Sequence, residues 1–198
     1  MMQTMTGVRR FSQWGLWFGG GLILLAATLI GIDVLMRRFL NQSIGGADEL
    51  AGYALAIGTA WGLGAALLDR AHIRIDSLYV LFPQRLRLFL DVVALLLFIG
   101  FFALTAWHDL GVVSQSWTSG SRSQSALETP TVIPQLMWII GLISFVVVGL
   151  VLLIHALMLA RRGELQAMAG AIGTRSAEED IEDEIRGLKE RAEREGGR

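Results

Sequence analysis

Four stretches of this chain run almost wholly apolar, at residues 14–36, 49–68, 88–113 and 132–160. Each is close to or above the roughly 20 residues that an α-helix needs to cross a bilayer. None alternates with the two-residue period of a barrel strand, and inside lipid only helices and closed barrels satisfy every backbone group. The pattern therefore predicts an all-α membrane protein with four transmembrane helices. Polar segments separate the spans, and residues 163–198 form a highly charged tail. The expected organisation is a membrane domain over 1–162 and a charged tail over 163–198, partly helical or disordered.

The rims of these spans orient them. Arg9 and Arg10 precede the first span, Arg70, Arg74, Arg85 and Arg87 surround the second connection, and Arg161 and Arg162 close the fourth span. The opposite rim carries Arg37, Arg38 and Arg122. Excess arginine marks the cytoplasmic side, so both chain ends are expected there. The first span is too long for the apolar core of a signal peptide, and Arg37-Arg38 stands where a small-residue cleavage site would be needed.

The segment over 72–91 reads in two pieces, the first a short helix lying along the cytoplasmic interface, with an ordinary loop as the alternative, and the second the start of the third span. Asp76 can cap the short helix, while Leu78, Tyr79, Leu81 and Phe82 supply apolar surface. Pro83 suits the first turn of the third span. The connection over 114–131 is rich in Ser, Thr and Gly, which points to solvation rather than chemistry. In the tail, Ser176 and Glu179 fit a capping box. Ile181, Ile185, Leu188 and Ala192 recur at helical spacing beyond it.

Composition narrows the chemistry. Mean hydropathy is +0.52, and the net charge of −1 hides a tail with ten acids against six bases. There is no cysteine, which excludes disulfides, thiol chemistry and cysteine metal sites. A charge deep in a bilayer is costly and is retained for use. Asp33, Asp69, Asp91 and Asp109 all fall within a few residues of an expected helix end. Arg37 follows Asp33 by four residues and Arg87 precedes Asp91 by four, so both acids have an expected partner. Around Leu25, Thr59, Gly100 and Phe145 only apolar, small or hydroxyl side chains occur, which argues against ion movement by this chain alone. His108 and His155 belong near opposite ends of their spans, too far apart to share a haem iron. His72 with His155 remains the only geometrically open pair. No catalytic, cofactor or metal residue is assigned.

Span 2 carries Ala54, Gly58, Gly62 and Ala66 every fourth residue, widened by Gly64 and Ala65. Small residues at this spacing allow close helix–helix approach in lipid. The stripe serves either packing within the four helices or docking of a second membrane subunit. Gly15 and Gly19 make a weaker version in span 1.

Several short motifs then resemble one family. They are Arg38-Phe39-Leu40-Asn41 after span 1, Ala47-Asp48-Glu49-Leu50-Ala51 opening span 2, and Ala71-His72-Ile73-Arg74-Ile75-Asp76 after it. Pro83-Gln84-Arg85-Leu86-Arg87 follows, with Pro130 and Pro134 before span 4. Their order and spacing, over about 31–157, resemble the small DctQ-like membrane subunit of TRAP (tripartite ATP-independent periplasmic) transporters. The resemblance implies a scaffold for a large elevator-type membrane subunit, with a periplasmic protein delivering a solute, often an organic acid. It places sodium in the large subunit and no cofactor in this chain. The implied setting is a bacterial inner membrane with lipid contacts and no nucleic acid. Arg38, Asn41, Glu49, His72, Arg74 and Asp76 match motif positions suited to helix ends and interfaces. Two other readings compete: a self-sufficient homo-oligomeric exporter coupled through Asp33, and a haem-bearing anchor.

Overall fold

The computed structural model describes residues 2–70 and 82–173, together with Ile185, Gly187 and Leu188. Five helices follow one another among them: α1 (Met2–Leu40), α2 (Ala47–Leu68), α3 (Gln84–Ser119), α4 (Val132–Arg161) and α5 (Leu165–Ile172). The first four are long and apolar enough to cross a membrane. Residues 72–81, which hold the expected interfacial helix, and the tail helix apart from three isolated residues lie outside the described residues.

α1 and α3 both outrun their apolar runs. α3 begins directly after Pro83, whose extended backbone forms the N-cap, and runs six residues past the apolar stretch to Ser119. Along this polar stretch Thr118 Oγ1 donates to Ser114 O (3.0 Å) and Ser119 Oγ to Gln115 O (2.8 Å), so the hydroxyls are satisfied on the helix itself. Bonds of this kind pair a hydroxyl with the carbonyl one turn back. Gly120 then takes φ 62° and stops the helix. This extension moves Asp109 from near a helix end to ten residues, about 15 Å, before it.

α4 is the central element. Its apolar span is 44% buried, against 11% for α1, which rests mainly on α2 and turns Trp17, Leu24 and Leu25 outward. Between α2 and α4 the helices close on Gly141, where a Cβ would stand 2.9 Å from both Ala60 Cβ and Trp61 Cδ1. Trp61 Nε1 donates to Met137 O (3.0 Å) across the same contact. α3 meets α4 through aromatic rings. Phe145 is fully buried and stands edge-on to Phe98 and Phe102, with centroids 5.7 and 4.6 Å away.

Residues 165–172, grouped by composition with the charged tail, pack as α5 on the bundle. α4 ends in a Schellman motif: Gly163 takes φ 74°, its N–H reaches Ala160 O (3.1 Å), and Glu164 N–H reaches Leu159 O (3.1 Å). The chain folds back there and buries Met168 and Ile172 in a cluster with Leu88, Leu152 and Leu159. Met5 and Val8 of α1 pack against the same cluster. This is the terminal end of the bundle. The opposite, loop end carries the connections 41–46 and 120–131.

Candidate functional site

The polar side chains with the most partners gather at the loop end. α1 stops at Leu40 because Asn41 takes φ 49°, a left-handed conformation that asparagine tolerates better than most residues. The reversed chain returns across the last turns of α1. Ser43 Oγ and the Ile44 N–H both donate to Asp33 Oδ1, at 2.9 and 2.7 Å. Arg37 Nη2 lies 2.5 Å from Asp33 Oδ2 and 3.7 Å from Asp48 of α2. Asp33 is 2% exposed, and its charge is answered by three donors.

A second clasp forms in the first turn of α2. Gly45 and Gly46 both take positive φ and bring the chain into the helix. Glu49 Oε2 accepts hydrogen bonds from Ser123 Oγ (3.0 Å) and Ser125 Oγ. Those hydroxyls in turn accept the Thr129 N–H (3.0 Å) and the Leu127 N–H (3.1 Å). Each serine thereby passes a loop amide's polarity on to the carboxylate. Tyr53 and Thr129 flank the carboxylate, whose Oε1 is buried without a geometric hydrogen bond. The loop is braced internally by an isolated bridge between Arg122 and Pro130 and by Ser123 N–H to Thr129 O (2.9 Å). Ser123 and Ser125 are thus ligands of Glu49 rather than loop solvation.

The motif residues divide by place. Arg38, Asn41 and Glu49 stand at the loop end, the first two exposed and Glu49 half-buried. His72, Arg74 and Asp76 lie outside the described residues. On α2, Gly58 is buried against Gly19, while Ala54, Gly62 and Ala66 are half-buried. The centre of the small-residue stripe is therefore filled from within the chain.

Asp109 is half-buried, and its Oδ2 is enclosed without a hydrogen-bond partner. His155 is half-buried with Nδ1 likewise enclosed, and His108 is exposed. No group of three or more His, Asp or Glu side chains is placed to hold a metal among the described residues. A shallow cavity of about 390 Å³ opens at the terminal end, between Gln84 and the first turn of α5. One carboxylate, Glu164, and the amides of Gln84 and Gln166 line it, which supplies no nucleophile with a neighbouring base.

Four membrane-length helices, with acids tied into loop contacts rather than into a catalytic set, define a multi-pass helical membrane protein. The profile of the family described as "Tripartite ATP-independent periplasmic transporters, DctQ component" matches residues 17–159. The chain belongs to that family, and it is a small-subunit component of a TRAP transporter. This is a family of transporter components rather than of enzymes, whose members work in complexes with a large membrane subunit and a periplasmic binding protein. No curated protein and no solved structure matches the chain.

Proposed function

We propose that this chain is the fixed scaffold of its transporter, set in a bacterial inner membrane with both ends in the cytoplasm. It supports a large elevator-type subunit that couples sodium to uptake of a solute, an organic acid, handed over by a periplasmic protein. In this reading sodium and solute are held by the large subunit, and this chain carries no cofactor. The arginine asymmetry supports the orientation, which puts the Asp33 and Glu49 clasps on the periplasmic side.

The observation that carries the reading is the use of the two acids. Asp33 is saturated by Ser43, Ile44 and Arg37, and Glu49 holds the 120–131 loop. An ionisable group used for transport must be free to exchange its partner, whereas groups tied this way fix helix ends against one another. The competing exporter needs Asp33 as a coupling acid, and its three donors speak against that use.

The test is reconstitution. Proteoliposomes holding this chain with its large subunit, supplied with binding protein and a sodium gradient, are expected to accumulate solute. Liposomes holding this chain alone are expected to accumulate none. Sodium-dependent uptake by this chain alone would overturn the proposal.

A further inference from the structure

The terminal end of the bundle presents arginines from three helices. Arg9 and Arg10 on α1, Arg85 in the first turn of α3, and Arg161 and Arg162 at the end of α4 are all exposed. Among the described residues none of these five forms an ion pair. Two of them border the cavity between α3 and α5. Arg85 follows Gln84 and Arg162 precedes Gly163, and both Gln84 and Gly163 line it. Leu88, one turn past Arg85, and Leu159, one turn before Arg162, are buried in the same hydrophobic cluster. That contact holds the two helix ends together across one opening.

The level of the cavity decides what reaches it. The apolar run of α3 begins at Leu88, about 4.5 Å along the axis from Arg85, and that of α4 ends at Ala160, just before Arg161 and Arg162. Both border arginines therefore stand just outside the apolar layer, at the depth of phospholipid headgroups. One turn deeper, Phe89 on α3 and Met158 on α4 are exposed and offer apolar surface to an acyl chain. The volume of about 390 Å³ falls within the ~300–1,000 Å³ of small-ligand sites.

The lining supplies further donors. The side-chain amides of Gln84 and Gln166 are part of it, as is the first turn of α5. In that turn the Leu165 N–H goes to Gly163 O (2.9 Å) and the Met168 N–H to Glu164 O (3.0 Å). The Gln166 and Ala167 N–H groups between them have no backbone acceptor among the described residues. These amides add to a site that the arginines and the cavity already define. Glu164 is the one acid in the lining. Two arginines against one carboxylate leave a net charge of +1, which matches a headgroup carrying a single negative charge.

We propose that this cavity binds the phosphate headgroup of a singly charged anionic phospholipid between Arg85 and Arg162, with its acyl chains along Phe89 and Met158. Guanidinium groups give a phosphate short, charge-assisted hydrogen bonds, and basic pockets between membrane helices suit such headgroups. A lipid seated there bridges α3, α4 and α5. It therefore stabilises the folded bundle by mass action.

The probe is phosphatidylglycerol, added to the full-length chain in detergent and compared with phosphatidylcholine and with inorganic phosphate. Melting temperature and the lipid retained in native mass spectra are both read. Phosphatidylglycerol is expected to raise melting by several degrees and to be retained several-fold more than phosphatidylcholine. The Arg85→Gln, Arg162→Gln variant should lose both effects, whereas Arg9→Gln, Arg10→Gln on α1 should keep them. Glu164→Gln removes the opposing charge and should strengthen retention. Equal retention of the two lipids would overturn the proposal, as would the same rise in melting with inorganic phosphate alone. So would an equal loss in the Arg9, Arg10 variant, which would mark diffuse attraction to the whole rim, or weaker retention in Glu164→Gln. Without added lipid every variant should melt with the wild type, because all five substituted side chains are exposed.

Discussion

Gly19 of α1 and Gly58 of α2 meet backbone to backbone: a Cβ on Gly19 would stand 2.5 Å from the Gly58 carbonyl oxygen and 3.0 Å from its Cα. The contact is the tightest point of the α1–α2 pair, and nothing flexible there can move aside. Gly19→Leu is expected to force the helices apart, at a cost of about 1–3 kcal/mol from overpacking. Gly20→Leu is the control, because a side chain there meets nothing within 4 Å. Thermal melting in detergent should fall for the first variant and hold for the second; equal melting would show that the contact is not needed.

Much of this arrangement was legible in the chain. Apolar run length alone locates α2 and α4 to within a few residues, because lipid imposes one period and one minimum length. The small-residue spacing on α2 marks a close approach, yet it cannot say whether the partner is Gly19 or another molecule. Asp33 and Arg37 are readable as neighbours because four residues make one helical turn. The other ligands of Asp33, Ser43 and Ile44, depend on a chain reversal at Asn41 that has no periodic signature. Likewise, nothing local in the 114–131 stretch signals that two of its serines reach Glu49. α5 had a readable signal in Gly163 followed by Leu165, Met168 and Ile172, which fits a helix stop and a new apolar face. The charge of the remaining tail outweighed it.

At Asp33 two substitutions separate structure from transport. Asp33→Asn keeps an acceptor for Ser43 and the Ile44 N–H but loses the Arg37 ion pair. Asp33→Leu removes both, so the Ser43 hydroxyl and the Ile44 N–H, on exposed residues, turn to water and each loses a net hydrogen bond of about 0.5–1.5 kcal/mol. Melting is expected to fall slightly for the first and clearly for the second. Uptake by the reconstituted complex should survive Asp33→Asn. Complete loss of uptake with normal melting would instead assign Asp33 a part in transport.

Glu49 and the serines Ser123 and Ser125 should behave as one unit. Glu49→Ala and the Ser123→Ala, Ser125→Ala pair each break the same hydrogen bonds, so their costs should not add. A double-mutant cycle is expected to give a coupling of about 0.5–3 kcal/mol. The loop should also become more open to protease in every member of the cycle except the wild type. A coupling near zero would mean that the loop is held by its internal bridge alone.

Met168 tests the docking of α5. It is 4% exposed and sits between the ends of α3 and α4, and an eight-residue helix is too short to persist without tertiary support. Met168→Ala is expected to cost about 2–5 kcal/mol of packing if the site cannot collapse. Deleting residues 163–198 should lower melting comparably, whereas deleting 174–198 should not. If both deletions melt like the full chain, α5 contributes nothing to the bundle.

Asp109 makes the opposite kind of prediction. Its Oδ2 is enclosed with no hydrogen-bond partner, and an ionised carboxylate in that state is costly to keep. His108 beside it on the helix is exposed and offers no enclosed donor. Removing the charge should therefore relieve a cost rather than break a contact. Asp109→Asn, which retains the shape, is expected to melt at or above the wild-type temperature, and Asp109→Leu to lose little. The reconstituted complex supplies the second reading. If Asp109 serves only as a tolerated defect of α3, uptake follows melting and stays at the wild-type level. A variant that melts higher while uptake collapses would place the carboxylate in the working of the transporter, in a contact completed by the large subunit.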